Sequence, residues 1–437
     1  MEPQFAALIA IDWADQKHVW AMEIPGQTKP QTGSLTHSPE AVDAWAAGLA
    51  ERFGGQLVAV ALEQSRGPLV FMLTKYPQLV IYPVHCSTLA NYRKSFRPSG
   101  AKDDPIDAQL LLDILARHRD KLRPLRPDTV ETRTIQFLVE ERRKLVDQKT
   151  ACTNRLTAHL KMYFPQALEW FGELGSPIAV AFLERWPTLS GVQKSRPATI
   201  RKFYSSHNSR TGGDYLDKRI GEIRKAISAT HDEAVIAGYS VAVLAWAGLL
   251  KQLLLAIQDY DQRIDALAKK HPDYALMKSF PGVGPVIAPR LIAALGSQRD
   301  RYDSAYQIQC YSGIAPVVSS SGKKHHVHCR WACPAFLRQT FHEWAQHSMA
   351  GSQWAREYYE HQRKVGKGHN TAVRALAFKW MRILFRCWKD NVPYSELVYT
   401  KSIAQKNPQP KVDRAVEIKW EKKMGMSKFI GLDPAVG

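Results

Sequence analysis

Three short apolar runs within the first 85 residues constrain the fold more than any other feature of the chain. Residues 5–11 (FAALIAI), 57–62 (LVAVAL) and 79–83 (LVIYP) contain no charged residue. A strand that is apolar on both faces must be covered on both faces, as the central strands of an α/β sheet are. Residues 18–24 and 33–37 read as two more strands, and the spacing in 39–53 predicts a covering helix. The expectation is a mixed sheet flanked by helices.

Acids sit where these runs stop. Asp12 directly follows the first run and Glu63 the second. Side chains at strand ends of such sheets can enter a shared crevice, and a carboxylate there is costly unless a cation meets it. A metal ion is one answer and an arginine is the other. Two further acids, Asp104 and Asp107, lie three apart in KDDPIDA (102–108) at a predicted helix start, so both can face one side. On one reading Asp104 is an N-cap before Pro105, and Asp107 a capping-box acid. On the other, the four acids form an oxygen-rich set of the kind Mg²⁺ prefers, with two ions able to clamp a phosphodiester.

Charge suggests the substrate. Lys and Arg total 60 against 41 Asp and Glu, a net charge of +19. Such an excess favours a polyanionic partner, since each neutralised phosphate releases counterions. The six cysteines are scattered without a paired framework, which fits a reducing compartment. The N-terminus has no basic-then-apolar signal pattern. Residues 234–250 carry no charge but contain Gly238 and Ser240, and read as a buried helix rather than a membrane span.

Beyond the sheet, residues 135–163 form a predicted long helix. A second helix carries a heptad seam, Leu250, Leu253, Ile257, Tyr260, Ile264 and Leu267. That seam suits packing inside the monomer or a coiled coil between chains. The expected organisation is residues 1–125 as the acid-bearing α/β domain, 126–270 as coiled-coil helices with a basic helical insert at 166–233, 271–395 as a mainly helical C-terminal domain, and 396–437 as a basic tail, loosely ordered over 402–437.

In the C-terminal domain, FPGVGP (280–285) resembles a helix-hairpin-helix turn. Gly282 and Gly284 could offer backbone N–H groups to a phosphate, or simply make a tight turn. SSSGKK (319–324) reads as a mobile polar loop in which a serine could act as nucleophile. Lys323, Lys324, Arg330, Arg338, Arg363, Lys364, Lys367 and Arg374 are candidate nucleic-acid contacts, several of them near aromatics. His325, His326, His328, Cys329 and Cys333 are metal-ligand types, but their spacing matches no standard zinc finger.

Asp12, Glu63, the K-x-D-x-x-D-A segment ending at Ala108, and the Gly-x-x-Pro segment (313–316) followed by Ser-Gly resemble the DEDD-type insertion-sequence transposases. That family includes the Piv and MooV DNA invertases and the bridge-RNA-guided recombinases. The resemblance implies a RuvC-like, RNase H-type N-terminal fold with Asp12, Glu63, Asp104 and Asp107 as Mg²⁺ (or Mn²⁺) ligands. It implies Ser321, or failing that Ser320, as a nucleophile that becomes covalently attached to DNA. It further implies a structured noncoding RNA partner, a homodimer or homotetramer on DNA, and a cytoplasmic, nucleoid-associated setting without a membrane. The family pattern continues to Leu337-Arg338, but just before that pair this chain reads CRWACP (329–334) where the family often has a basic residue and glycine. Two rivals remain on the residues alone: a RuvC-like nuclease or junction resolvase that uses water and forms no covalent intermediate, and a non-catalytic nucleic-acid-binding protein.

Overall fold

The computed structural model describes residues 4–96, 104–207, 213–322 and 324–406. They fall into two compact units, Met1–Pro127 and Asp128–Gly437.

The first unit runs β1 (Ala7–Asp12), β2 (Lys17–Glu23), β3 (Gln31–Thr36), α1 (Pro39–Arg52), β4 (Val58–Leu62), α2 (Pro68–Leu73), β5 (Leu79–Pro83), α3 (Cys86–Phe96) and α4 (Asp104–His118). The sheet order is β3-β2-β1-β4-β5. β1, β4 and β5 are parallel, and β2 and β3 join antiparallel. The expected mixed sheet is therefore present, with the three apolar runs as its parallel strands. α1 begins where expected because Ser38 accepts the Ala41 N–H on its Oγ at 3.2 Å and Pro39 opens the first turn.

Alternation along the strands divides the interior into two cores. Ile9, Ile11, Val60 and Leu62 pack with Val42 and Leu69 on one face. Ala10, Ala59 and Ala61 lie on the other, with Leu111, Leu112 and Leu115 of α4. Alanine on that face lets the helix approach the sheet closely.

Among its described residues, the second unit's regular structure is helical apart from one hairpin. α5 (Val130–Tyr163) and α11 (Glu233–Ala268) pack along each other, tied by Arg142, whose Nη2 donates to Asp261 Oδ2 at 3.0 Å. Between them come α6 (Gln166–Trp170), α7 (Pro177–Arg185), α8 (Leu189–Lys194), α9 (Pro197–Ser206) and α10 (Gly213–Lys225). These helices close around an aromatic core that includes Phe164, Trp170, Phe182, Trp186 and Phe203. The chain continues with α12 (Tyr274–Lys278), α13 (Ile287–Leu295), α14 (Ala305–Tyr311), β6 (Val317–Ser321), β7 (Lys324–His328), α15 (Ala335–Ser348), α16 (Gln353–Lys364), α17 (His369–Asp390) and α18 (Glu396–Lys406). Their core holds Phe280, Trp344, Trp380 and Trp388, and it includes Ile135 and Val139 of α5 and Ile264 of α11. The heptad seam is used inside the chain: Leu250 and Ile264 are buried, and Leu253, Tyr260 and Leu267 pack against these cores.

Two expectations need correction. α11 is long and apolar enough to cross a membrane by length and composition, but it is not the buried helix its lack of charge suggested. Val243, Ala247 and Leu250 are buried along one stripe, while Val241 is 68 % and Leu255 54 % exposed. Leucine and alanine occur all round this helix, so composition could not show which face packs. The tail, expected to be loose from residue 402, is helical to Lys406. Tyr399 packs against Trp354, and Glu396 accepts hydrogen bonds from Ser352 (2.8 Å) and Tyr394 (2.7 Å).

Candidate active site

Strand register decides where the first two acids meet. Ile11 of β1 lies opposite Leu62 of β4, so Asp12 and Glu63 are one step further along two adjacent parallel strands, which run about 4.8 Å apart. Alternation puts Asp12 with Ala10, and Glu63 with Ala59 and Ala61, on the face covered by α4. Asp12 is 8 % exposed. Glu63 is half-buried and has no hydrogen-bond or ion-pair partner among the described residues.

The second pair comes from α4, whose direction can be read from its far end. Arg117 interacts electrostatically with Glu23, which ends β2 beside the start of β1. The Arg119 guanidinium lies 5.0 Å from the ring centre of Phe5, just before β1. α4 therefore runs antiparallel to β1. A 15-residue helix and a six-residue strand are both about 20 Å long. The first turn of α4, with Asp104 and Asp107, thus lies at the end of the sheet where Asp12 and Glu63 sit. Asp104 is exposed and Asp107 is 1 % exposed.

Asp107 already has a cation. Arg93 of α3 grips it bidentately, Nε to Oδ1 at 2.7 Å and Nη2 to Oδ2 at 2.5 Å. This corrects the capping-box reading of Asp107: its carboxylate serves a guanidinium, not a backbone N–H. The same α3 carries Tyr92, whose hydroxyl bonds Asp113 of α4 and is pushed above its ordinary pKa by burial and by that carboxylate. Together Tyr92 and Arg93 clamp α3 onto α4. Asp103, Lys102 and Lys323 lie outside the described residues.

Among the described residues no three His, Cys, Asp or Glu side chains converge tightly enough to hold a metal ion. Of the four acids, Asp107 is held by Arg93. The donor set itself, four hard oxygen ligand groups on one face and at one end of a sheet, suits a divalent ion such as Mg²⁺. For His326, His328, Cys329 and Cys333 the β-hairpin and the turn after it do not gather a ligand shell.

Behind Asp12 lies a feature the sequence reading missed. His18 of β2 is fully buried and accepts the Ala14 N–H on Nδ1 at 3.1 Å, while its Nε2 meets His37 Nδ1 at 2.9 Å. Burial, helped by His37, lowers its pKa to about 4. The neutral ring braces the turn that follows Asp12. A lone histidine at the start of a predicted strand gave no signal for this.

In the second unit the serines occupy a strand, which corrects the mobile-loop expectation. Ser319, Ser320 and Ser321 lie on β6 opposite His326, His325 and Lys324, and Gly322 turns the hairpin at φ +57°. Ser321 is exposed and forms no hydrogen bond through its hydroxyl among the described residues. Three of the candidate nucleic-acid contacts brace the base of this hairpin. Arg330 donates to the Ala315 carbonyl and Arg338 to the Arg330 carbonyl, both at 3.4 Å, and Arg374 reaches Cys329 Sγ at 2.7 Å. Lys324, Arg363 and Lys364 are exposed, and Lys367 donates to Gln362 at 2.5 Å. Gly282 is a packing glycine. Its φ is +74°, and a Cβ there would stand 2.5 Å from the Ser348 nitrogen, whereas Gly284 has open space.

A mixed sheet with an acid pair at adjacent strand ends and a second pair on the covering helix defines an acid-bearing α/β domain. Comparison with known proteins narrows this. A family model described as a DEDD-type transposase matches residues 9–165, and one described as the transposase IS116/IS110/IS902 family matches residues 274–360. The two together cover more than half the chain. The candidate transposase of the IS117 mini-circle from Streptomyces coelicolor is 27 % identical over 401 residues, 90 % of this chain and 97 % of its own. The uncharacterized 43.6 kDa protein of insertion element IS110, from the same species, is 24 % identical across 79 % of this chain and 85 % of its own. The uncharacterized 42 kDa protein of IS900 from Mycobacterium paratuberculosis is 25 % identical across 75 % and 80 %. The chain belongs to the DEDD-type IS110 family of insertion-sequence transposases, and is a DNA transposase whose N-terminal domain is of the RuvC-like class.

Proposed function

We propose that this transposase cuts and rejoins DNA with Asp12, Glu63, Asp104 and Asp107 as ligands of Mg²⁺ and Ser321 as nucleophile. What supports the reading is that the register of β1 with β4 and the direction of α4 bring all four acids toward one end of the sheet, from segments 51 and 41 residues apart along the chain. A bound divalent ion would offset the charge of the acids and stabilise negative charge on the scissile phosphate.

The chain's own residues have distinct tasks. Asp12 ends β1 and Glu63 directly follows β4, so the backbone holds both at the same end of the sheet. Asp104 and Asp107 ride on α4, which α3 holds through Arg93 and Tyr92. Ser321 Oγ attacks phosphorus: an O–P bond to serine forms, the bond to one deoxyribose oxygen breaks, and that oxygen leaves as a hydroxyl after taking up a proton. Reversal onto a different strand's hydroxyl restores a phosphodiester. One P–O bond replaces another at each step, so no nucleotide triphosphate is consumed. The exposure of Ser321 at the rim of a hairpin suits attack on an external strand. In the same reading the enzyme is guided by a structured noncoding RNA and works as a dimer or tetramer in the cytoplasm, at the nucleoid. The net charge of +19 supports nucleic acid as the partner.

The test is a denaturing gel of the full-length protein incubated with labelled element-end DNA, RNA and Mg²⁺. The reading expects a covalent protein–DNA band, lost in Ser321→Ala and in Asp12→Ala, with DNA binding kept in Ser321→Ala. Cleavage without any covalent band, undiminished in both Ser321→Ala and Ser320→Ala, would establish a water-using nuclease instead.

A further inference from the structure

A cavity of about 700 Å³ lies within the second unit, where α5, α11, α12, α13 and the start of α15 meet. Its size is that of a small-ligand site, and it belongs to neither the acids nor the serine hairpin. Five cations line it, Arg142, Arg143, Lys269, Lys278 and Arg290, against two carboxylates, Asp261 and Asp265. Those two are already engaged, Asp261 by Arg142 and Asp265 by Lys269 at 2.5 Å.

Two of the remaining cations, Lys278 and Arg290, keep donors unmet among the described residues. Lys278 is exposed and has no hydrogen-bond or ion-pair partner among the described residues. Arg290 is only 7 % exposed; its Nε donates to Thr340 at 3.0 Å and its Nη1 to Glu343 at 2.5 Å, but its Nη2 is buried without a hydrogen-bond partner among the described residues. Arg143 donates to Asp147 at 2.7 Å and shares the same Glu343 at 3.8 Å. Burial, together with the nearby Arg143 and Arg142, weakens the hold of Arg290 on its proton despite Glu343. Crowded like charges of this kind are relieved by an incoming anion. The rest of the lining includes the apolar or aromatic Val139, Ile264, Tyr274, Pro285, Val286 and Phe336, and the Phe336 ring lies 5.4 Å from the Arg290 guanidinium.

We propose that this cavity holds one nucleotide of an unpaired nucleic-acid strand, with its phosphate among Lys278, Arg143 and Arg290 and its base against Phe336 and Tyr274. A base stacks on an aromatic face whatever its identity, and a cationic rim tracks the backbone. A duplex cannot put a base into a cavity without unpairing it. The assignment rests on the chain being a nucleic-acid enzyme and does not depend on the carboxylate site.

The experiment uses the full-length protein in EDTA, so that catalysis plays no part. Fluorescein-labelled 12-nucleotide dT and rU strands and a 12-base-pair DNA duplex are titrated by anisotropy. Lys278→Glu is expected to weaken binding of at least one single strand about tenfold and of the duplex less than threefold, and to lower the salt slope for the single strand by about 0.7. The strand with the larger loss is the occupant. Lys225→Glu on α10 reverses an exposed charge elsewhere and is expected to change single-strand binding less than twofold. 5-Iodouracil in the same strands is expected to crosslink to the peptide holding Tyr274 or Phe336, and Asp12→Ala is expected to leave both results unaltered. Lys278 is exposed, so its variant should fold, and circular dichroism checks this. Single-strand binding within twofold of wild type in Lys278→Glu overturns the proposal. So do crosslinks confined to other peptides, or complete displacement of the strand by 20 mM inorganic phosphate with no adduct at either aromatic, which would leave a bare phosphate site.

Discussion

Removing Arg93 should destabilise the first unit without metal and make its stability depend on metal. The Asp107 side chain is 1 % exposed and the Arg93 side chain 16 % exposed, and both carboxylate oxygens are held by that one guanidinium. Breaking a buried ion pair from one side costs roughly 3–5 kcal/mol, because the other charge stays buried and uncompensated. The partial exposure of Arg93 puts Arg93→Ala near 3 kcal/mol. In EDTA that corresponds to roughly 10 °C in the melting of a unit of this size. A divalent ion at Asp107 would supply the missing charge. At about ten times its dissociation constant it contributes roughly 1.4 kcal/mol to any state that binds it. In wild type part of this is spent displacing Arg93; in the variant none is. Scanning fluorimetry in EDTA and in 10 mM MgCl₂, with hydrogen exchange of the α4 amides, should therefore show a larger Mg²⁺-induced stabilisation in Arg93→Ala than in wild type. A variant within 1 kcal/mol of wild type in EDTA, or one that Mg²⁺ stabilises no more than wild type, would refute the claim that Arg93 stands in for a cation there.

Other outcomes follow from the geometry. His18 has a folded pKa of about 4 against an ordinary 6.5, so the unfolded chain binds its proton first as pH falls. Its contribution is fully present above pH 6.5 and is lost progressively toward pH 4, a change of about 3 kcal/mol; urea unfolding at pH 7 and 4.5 should show a smaller loss in His18→Gln than in wild type. Gly282→Ala should cost about 2 kcal/mol or more, since it combines a φ of +74° with a Cβ 2.5 Å from the Ser348 nitrogen. Gly284→Ala should be nearly silent by the same thermal melt, because nothing crowds that position. Trp344→Ala, which empties a fully buried site beside Phe280 and Trp380, should cost about 3–5 kcal/mol and unfold the second unit at lower denaturant.

What the sequence made legible here follows periodicity. The three parallel strands announced themselves because both of their faces are apolar, and Asp12 and Glu63 stood out as the points where that stops. Their adjacency depends on β1 pairing with β4 rather than with β5, a choice that neither run encodes by itself. Arg93 was invisible for a related reason. It lies on an amphipathic helix with no distinguishing neighbour, and only the packing of α3 on α4 puts it against Asp107. The serine segment misled because Ser, His and Lys offer no apolar alternation; an exposed hairpin is held by its backbone ladder, and that needs none. The basic residues show how a single property can serve two ends. Arg330, Arg338 and Arg374 were equally good candidates for phosphate contact by type and spacing, yet each spends hydrogen bonds on the foot of the hairpin. Lys278, which no motif singled out, is left with its charge uncompensated beside a cavity. Type and spacing therefore identify a cation, and only its partners in the fold decide whether it holds the protein together or remains available to a phosphate.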